Sequence, residues 1–319
     1  MLNSKTYLKI LFAILGIILA VTITYAVNFS KKYPIPVTGR ISFDAKIKFI
    51  REHIDVDAVD TIIVGSSLGL NNIQGTYLEK ASKKCKTVLN LSVYEATALQ
   101  VEQLLELTDA FPNLKRIVYS TQYSDFPHAK TFKDYDPKFL IKYLRDELNP
   151  IEYQTLMFQS CQDLEFCITR QKEWKEKHGM NNKFSYLGFD STGSVPLHIY
   201  GKDIIKSRWN NPHPGIMNPK SFEAVDRMSK RAQQKGIKFY FVQQPYRQPL
   251  AKRIKVKNTL SYFAKRINDI VTKHGGKFLS LHEKLHLGDK YFSDRSHLND
   301  RGSIIGAKAI GKFIDENEK

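Results

Sequence analysis

Cysteine is scarce in this sequence: Cys85, Cys161 and Cys167 are the only three among 319 residues. So few cysteines exclude a disulfide-rich scaffold, and an odd number leaves at least one thiol free. Their spacing matches no zinc-binding pattern. A bridge between Cys161 and Cys167 requires an oxidising compartment; the alternative is that all three are small buried hydrophobic residues. We expect neither a metal nor a cofactor.

Acidic residues are also few: 32 Asp and Glu stand against 49 Lys and Arg, which gives a formal net charge of +17. The basic residues are scattered along the chain, as in Lys83-Lys84 and Lys252 to Lys257, and no nucleic-acid-binding module is recognisable. We therefore expect no nucleic-acid partner and assign most of these charges to a solvated surface. Next to a membrane, the positive field would favour anionic lipid headgroups or an acidic envelope polymer.

Long hydrophobic runs are limited to one. Between Ile10 and Val27 every residue is apolar, small, Thr or Tyr, and at helical rise this run is long enough to cross the hydrocarbon core of a bilayer. The sequence therefore predicts a transmembrane helix within residues 1–28, which would attach the protein to a membrane.

The charges that flank this run favour a cytoplasmic N-terminus, because Lys5 and Lys9 precede it, although Lys31 and Lys32 act against that orientation. A cleaved signal peptide is the alternative, since Thr24-Tyr25-Ala26 loosely fits a cleavage site. Both interpretations place the rest of the chain on the periplasmic or extracellular side, whereas the reverse orientation would leave it in the cytoplasm. We expect a single-pass protein of the cell membrane.

Short apolar runs alternate with helical patterns along the remaining chain. Runs of this length favour buried parallel strands over helices, and strands that alternate with helices imply right-handed crossovers. The sequence therefore predicts an α/β fold, a three-layer α/β/α, flavodoxin-like parallel sheet of about five strands. The predicted strands are Thr61–Val64, Thr87–Leu91, Ile117–Ser120, Ile237–Val242 and Phe278–Leu281, with helices at about 97–110, 259–273 and 300–315.

The predicted organisation has five segments. The anchor at 1–28 is followed by a polar linker at 29–58, and the α/β core is formed by 59–123 together with 220–319. Between the two core parts, 124–219 breaks the alternation and contains helical stretches. We interpret this segment as a helical insertion that caps the carboxyl ends of the strands, where open parallel sheets bind ligands.

Two short motifs could supply the chemistry of a serine nucleophile. Gly65-Ser66-Ser67 follows the first predicted strand, and Asp294-Arg295-Ser296-His297 precedes the last helix. A serine hydroxyl needs a nearby imidazole as its base, and the imidazole needs a carboxylate to hold its tautomer. We expect Ser67, His297 and Asp294 to fill these three roles.

Simpler interpretations of both motifs remain open. Asp294 or Asn299 could merely cap the last helix, and a glycine before two serines could be an ordinary strand-to-helix turn. Residues 65–69 also satisfy the G-x-S-x-G pattern of α/β-hydrolases. That fold, however, has several strands before its nucleophile, and its acid and histidine usually come from separate loops.

The arrangement resembles the SGNH/GDSL hydrolase superfamily, whose first block places the nucleophile in a Gly-Asp-Ser-type turn and whose last block is Asp-x-x-His. The resemblance covers residues 61–123 and 236–314. It implies that Ser67 is the nucleophile, Asp294 the orienting acid and His297 the base. Ser66 replaces the usual Asp of the first block.

The resemblance also implies an oxyanion hole, in which donors point at the charge that develops in a tetrahedral intermediate. We expect its donors to be the Ser67 amide, the Ser92 backbone N–H and the Gln122 side chain. Two of these depart from the family pattern, since Ser92 stands near the usual Gly of the second block and Gln122 near the usual Asn of the third.

Tyr246 and Arg247 follow the fourth predicted strand and are candidate substrate-binding residues. The guanidinium of Arg247 offers a fork for a carboxylate or a phosphate. A solvated loop is the equally plain alternative.

A membrane anchor ahead of such a domain is similar to bacterial envelope proteins: the D-alanine transfer proteins of teichoic-acid synthesis and alginate-type polysaccharide O-acetyltransferases. This similarity implies O-acyl transfer or O-acyl ester hydrolysis on an envelope polysaccharide or related polymer, through an acyl-Ser67 intermediate. A multi-span membrane O-acyltransferase would be the partner. A catalytically degenerate protein that binds an anionic envelope polymer is the alternative.

Overall fold

The computed structural model describes residues 3–28, 33–133, 135–177 and 187–319. Lys31 and Lys32, which bear on orientation, lie outside the described residues, as do the first residues of the predicted linker. The strands are β1 (Thr61–Gly65), β2 (Val88–Asn90), β3 (Arg116–Thr121), β4 (Lys238–Gln243) and β5 (Lys277–Ser280). The helices are α1 (Ser4–Asn28), α2 (Ile41–His53), α3 (Ser67–Asn72), α4 (Gly75–Ala81), α5 (Ala98–Leu104), α6 (Pro137–Leu144), α7 (Pro150–Ser160), α8 (Leu164–Lys177), α9 (Lys206–Trp209), α10 (Pro219–Gln234), α11 (Gln248–Ala251), α12 (Ile254–Lys273), α13 (Leu281–Lys284) and α14 (Asp300–Asn317).

The five strands form one parallel sheet in the order β2-β1-β3-β4-β5. This confirms the predicted three-layer α/β/α fold, and the strand order is that of flavodoxin-like sheets. After β2 the chain crosses to the other side of β1, so a crevice opens at the carboxyl ends of β1 and β3. Such a switch point is where ligands bind in doubly wound sheets.

Side chains of successive strand residues point to opposite faces of the sheet, and each face builds its own core. Ile62 of β1 and Phe241 of β4 pack into the larger core with α5, α10 and α12. Ile63 and Tyr240 pack on the other face, where the cluster includes residues of α4 and α14. All four side chains are almost fully buried, which accounts for the continuous apolar runs in the sequence.

The segment expected to be a polar linker instead contributes to the core. Helix α2 buries Phe43, Ile47 and Ile50 in the larger core. Lys46 on the same helix is also buried, and its ammonium donates hydrogen bonds to the carbonyls of Asn90, at 2.8 Å, and Gly193. Because it buries these apolar residues and Lys46 against the rest of the fold, α2 belongs to the α/β domain.

The predicted insertion divides into two structurally different parts. Helices α6, α7 and α8 contribute buried residues to the larger core beside α2, so they do not cap the strand ends as expected. A disulfide joins Cys161 to Cys167, and Cys85 is a buried free thiol.

The second part of the insertion, residues 187–217, crosses the carboxyl ends of the strands, and we call it the strap. Its backbone accepts a hydrogen bond from Asn90 at the end of β2 and donates one to Leu70 in α3. Farther along, the Ile205 amide donates to the carbonyl of Ser293 at 3.1 Å. The strap therefore supplies the cover that was expected from the whole insertion.

Helix α1 contains one stretch, Ser4–Thr24, that is long and apolar enough to span a membrane, and none of it is buried against the protein. The large apolar residues of this stretch are exposed on all sides of the helix. A helix that is apolar all round and lacks protein contacts is typical of a membrane span.

Candidate active site

Ser67 occupies the first position of α3, immediately after β1. The turn between them needs glycine at position 65, because a Cβ there would collide with the carbonyl oxygen of Ser120 on β3. Ser66 caps the helix by accepting a hydrogen bond from the Leu68 amide at 3.2 Å. The tight turn places the partly exposed Ser67 side chain at the switch point of the sheet.

The structure brings Ser67, His297 and Asp294 together, although Ser67 and His297 are 230 residues apart in the sequence. The Nε2 atom of His297 lies 2.8 Å from Ser67 Oγ, and its Nδ1 atom lies 2.8 Å from Asp294 Oδ2. An ionised carboxylate can only accept, so Nδ1 carries the proton and Nε2 accepts from the serine hydroxyl. This geometry is that of a nucleophile, its base and an orienting acid.

The pKa values of Asp294 and His297 are shifted in opposite directions. Burial alone would raise the pKa of Asp294, but the charge of His297 and hydrogen bonds from the Ser296 and His297 amides hold it well below its usual value. Burial alone would lower the pKa of His297, but the Asp294 carboxylate outweighs it and raises that pKa. Asp294 is therefore ionised at neutral pH, and it favours the imidazolium that forms when His297 takes up a proton.

Asn72, a buried amide that the motifs did not indicate, holds the loop of His297 against α3. Asn72 accepts a hydrogen bond from the Leu298 amide at 2.8 Å and donates one to the Ser296 carbonyl at 2.9 Å. It also donates to Gln244, whose side chain reaches Ser120 on β3. Because Asn72 lies on the same helix as Ser67, it fixes the distance between nucleophile and base.

Asp125 is a further missed residue beside the nucleophile. Its Oδ2 atom accepts hydrogen bonds from Ser66 and Thr121, each at 2.6 Å. Burial raises the pKa of Asp125, although these two hydrogen bonds oppose the change. The contact gives a physical reason for Ser at position 66, because an Asp there would face a second carboxylate.

The Ser92 backbone N–H differs from its expected role. It donates to the Asn90 side chain at 3.1 Å and so does not point into the site. The Ser92 hydroxyl, in contrast, is buried next to Gly69 of α3 and has no hydrogen-bond partner among the described residues. An unpartnered buried hydroxyl is costly, and this one lies against the helix that carries Ser67.

The Gln122 side chain is likewise engaged elsewhere. Its amide nitrogen donates to the Gln244 carbonyl at 2.6 Å, and its oxygen accepts from the Tyr123 amide at 2.9 Å. The side chain is fully buried. Gln122 therefore ties the ends of β3 and β4 together, and its oxygen and one of its two amide N–H groups are already engaged.

The predicted substrate-binding residues are also structural. Arg247 forms a paired ion contact with Asp289 at 2.8 and 2.9 Å and stacks on Trp209, so its fork is occupied. Tyr246 is completely buried, and its hydroxyl contacts the hydroxyl of Tyr123 and the ring of His213. Both residues anchor the strap instead of facing a substrate.

Two arginines missed by the sequence interpretation lie where the strap meets the loop that carries Asp294 and His297. Arg295 donates to His213 Nε2 at 2.8 Å, and burial together with the Arg295 charge lowers the pKa of His213 to about 3. Arg208 on α9 is exposed, and its charge acts on His297. Within the described part of the chain, neither arginine pairs with a carboxylate. Arg295 could have been identified from the sequence, because it lies between Asp294 and His297 in the same motif.

Comparisons with other proteins add no assignment. No protein-family model matches this chain, and no curated protein sequence matches it. Among the residues that the structure describes, no group of three or more His, Cys, Asp or Glu side chains is placed to hold a metal ion. The geometry of Ser67, His297 and Asp294 is therefore the main indication of function.

Proposed function

We propose that this protein is a serine-dependent enzyme of the SGNH/GDSL type that transfers O-acyl groups or hydrolyses O-acyl esters. The observation that carries the proposal is the hydrogen-bonded series Ser67, His297 and Asp294, with both contacts at 2.8 Å. Asp294 merely capping the last helix would explain neither contact, and the cap of α14 is in fact Asn299.

In the proposed reaction, Ser67 Oγ attacks the ester carbonyl while His297 Nε2 removes the hydroxyl proton. The new bond between Oγ and carbon gives a tetrahedral oxyanion, and Asp294 stabilises the imidazolium. Collapse of this intermediate breaks the ester bond, and His297 returns the proton to the departing alcohol. The product is acyl-Ser67.

The second half reverses these steps with a different nucleophile. His297 removes a proton from a polymer hydroxyl or from water, whose oxygen attacks the carbonyl of acyl-Ser67. The bond between the carbonyl carbon and Ser67 Oγ then breaks, and His297 returns the proton to Oγ. A polymer hydroxyl completes a transfer, and water completes a hydrolysis. The two activities share every residue of the triad and differ only in the acceptor that enters the site.

The oxyanion of each tetrahedral intermediate needs preorganised donors. We assign this role to the Ser67 amide and to the Ser92 hydroxyl. Because Ser67 is the first residue of α3, its amide has no acceptor among the described residues. A buried hydroxyl without a ground-state partner is available to bind a charge that exists only during the reaction. Gln122 is left out of the assignment because its amide is already bound.

The surroundings of the triad support an anionic substrate. The uncompensated charges of Arg208 and Arg295 favour an acyl acceptor that carries negative charge, as an anionic envelope polysaccharide does. Helix α1 would tether the enzyme to the cell membrane. The Cys161–Cys167 disulfide supports a periplasmic or extracellular location, because disulfides persist in oxidising compartments. A multi-span membrane O-acyltransferase would supply the acyl group, and the shared membrane would raise their encounter rate.

A second candidate is a catalytically degenerate protein that binds such a polymer. The observation in its favour is that two predicted oxyanion donors, the Ser92 amide and the Gln122 side chain, are bound to other groups. A protein that only binds the polymer would keep the positive charges of Arg208 and Arg295 without needing an activated serine.

Labelling with a fluorophosphonate probe separates the two candidates. The full chain in detergent micelles is treated with the probe, and the modified residue is mapped by mass spectrometry. We expect labelling at Ser67 that is abolished in Ser67→Ala and His297→Ala and retained in Ser191→Ala, which removes an exposed serine of the strap. Labelling at another serine, or equal labelling of the His297→Ala variant, would refute the assigned site. Absence of labelling in folded protein would favour the binding protein.

A further inference from the structure

Helices α7 and α8 expose an unusual number of large apolar side chains. Ile151 and Phe158 on α7 are 78% and 67% exposed, and Leu164 and Ile168 on α8 are 52% and 42% exposed. Ile151 and Phe158 are seven residues apart and Leu164 and Ile168 are four apart, so each pair lies on one side of its helix. We call residues 150–177, which include both helices, the α7–α8 hairpin.

The α7–α8 hairpin is a fixed part of the domain. The Cys161–Cys167 disulfide links the end of α7 to the first turns of α8. On its inner side, Leu156 and Met157 are buried in the larger core. The exposed apolar side chains are therefore fixed in position, and no residue that the structure describes covers them.

The hairpin also touches the chain that leaves the membrane helix. The guanidinium of Arg170 donates to the Gly39 carbonyl at 3.3 Å, and the Lys175 ammonium lies 5.5 Å from the centre of the Tyr33 ring. Tyr33 is five residues beyond Asn28, the last residue of α1. A chain of five residues spans at most about 18 Å, so α8 is confined to the neighbourhood of the bilayer in which α1 would lie.

Charge does not explain this surface. The hairpin carries four basic and five acidic side chains, so it has no positive excess to attract anionic lipid headgroups. Its distinguishing property is exposed apolar area, which gains stability from any environment that excludes water. Insertion of these side chains at the bilayer interface beside α1 would remove their apolar area from water.

We propose that the α7–α8 hairpin rests on the lipid bilayer, with Ile151 and Phe158 inserted at the interface, as a second membrane contact besides α1. The two contacts together hold the α/β domain in one orientation relative to the membrane. The proposal requires α1 to be in the membrane, and it does not depend on the proposed catalytic activity.

Quenching by brominated lipid tests this contact. The full chain is reconstituted into phosphatidylcholine vesicles with brominated acyl chains, as the Phe158→Trp variant and as the Ile254→Trp control. Ile254 begins α12 and is also 67% exposed, but it lies outside the hairpin. After subtraction of the parent fluorescence from Trp174 and Trp209, we expect at least twofold stronger quenching for Phe158→Trp than for Ile254→Trp. The Ile151→Trp variant is expected to behave like Phe158→Trp.

Each other outcome would overturn the proposal. Quenching of Phe158→Trp by aqueous acrylamide but not by brominated lipid would leave the hairpin in water. Protection from both quenchers would mean that a protein surface, such as a second copy of this chain, covers it. Failure of the full chain to float with the vesicles would show that α1 is not in the membrane, which the proposal requires.

Salt at 0.5 M is expected to leave the lipid quenching unchanged, because the contact is apolar.

Discussion

The two sides of the candidate active site differ in how they are built. On the proton-transfer side, Ser67, His297 and Asp294 bond directly to one another at 2.8 Å. On the opposite side, the Ser92 amide and the Gln122 side chain, which were expected to face the substrate, bond to Asn90 and Gln244 instead. The proximity of a serine, a histidine and an aspartate could be anticipated from two short motifs, whereas the availability of an N–H donor depends on which neighbouring groups already bind it.

The largest expected effect is the loss of the proton-transfer side. In Ser67→Ala or His297→Ala, we expect kcat for an activated ester to fall by about 10⁵-fold or more, because members of a triad act as a unit. The double variant should be no worse than either single one. A double variant that loses a further large factor would show that the two residues act separately.

Removal of the orienting charge should have the next largest effect. Asp294→Asn keeps the shape of the side chain but loses the carboxylate that fixes the His297 tautomer, and we expect kcat to fall by about 10⁴-fold. Circular dichroism and thermal unfolding serve as controls for the fold. A loss below tenfold in a folded variant would mean that Asp294 is only part of the loop structure.

The oxyanion side is tested by Ser92→Ala. If its hydroxyl binds the oxyanion, kcat should fall by about 10²-fold. The variant should also gain about 1 kcal/mol in free energy of unfolding, because a buried hydroxyl without a partner is removed. Activity and urea unfolding are measured on the same samples. Unchanged activity would take Ser92 out of the proposed mechanism.

The pH dependence of kcat/KM reports how Asp294 affects the pKa of His297. His297 must be neutral to accept the serine proton, so kcat/KM should fall about tenfold per pH unit below the pKa of His297. Because Asp294 raises that pKa, the midpoint should lie above the ordinary histidine value near 6.5. In Asp294→Asn the residual activity should show a midpoint at lower pH. A wild-type midpoint below 6 would contradict the assigned pair.

Gln122→Ala should have the smallest catalytic effect. Its amide bridges β3 and β4, so the variant should lose about 1–3 kcal/mol of unfolding free energy, which reflects buried partners left without hydrogen bonds. We expect kcat at 25 °C to change by less than about fivefold. A hundredfold loss of kcat with unchanged stability would restore the role expected from the family pattern.

The fold was largely predictable because the sheet is buried on both faces. Each strand from β1 to β5 coincides within about two residues with an apolar run, since most residues of a parallel sheet that is covered on both faces are buried. Helix α10 was not predicted, and α2 was taken for part of a linker. The charged residues of α2 include Lys46, which is buried through backbone contacts that only the folded chain provides.

The site was predictable only where residue type decides the chemistry. A serine, a histidine and an aspartate at the carboxyl edge of one sheet have few other ways to interact. The residues that position them, such as Asn72 and Gln244, are ordinary amides whose partners lie up to 226 residues away. Asp125 is similar, because its contact with Ser66 joins two loops that are distant in the sequence.

The burial of α2 decides where the protein could be cut without damage. Proteolysis between Asn28 and Tyr33 would leave α2 and its core contacts in place, so the shed fragment would carry the whole triad into solution. Cleavage after His53 would remove Phe43, Ile47 and Ile50 from the larger core, and the loss of such side chains costs several kcal/mol each. Release by a protease would therefore yield either a soluble domain that keeps the candidate active site or an unfolded chain, depending on a difference of about twenty residues in the cut site.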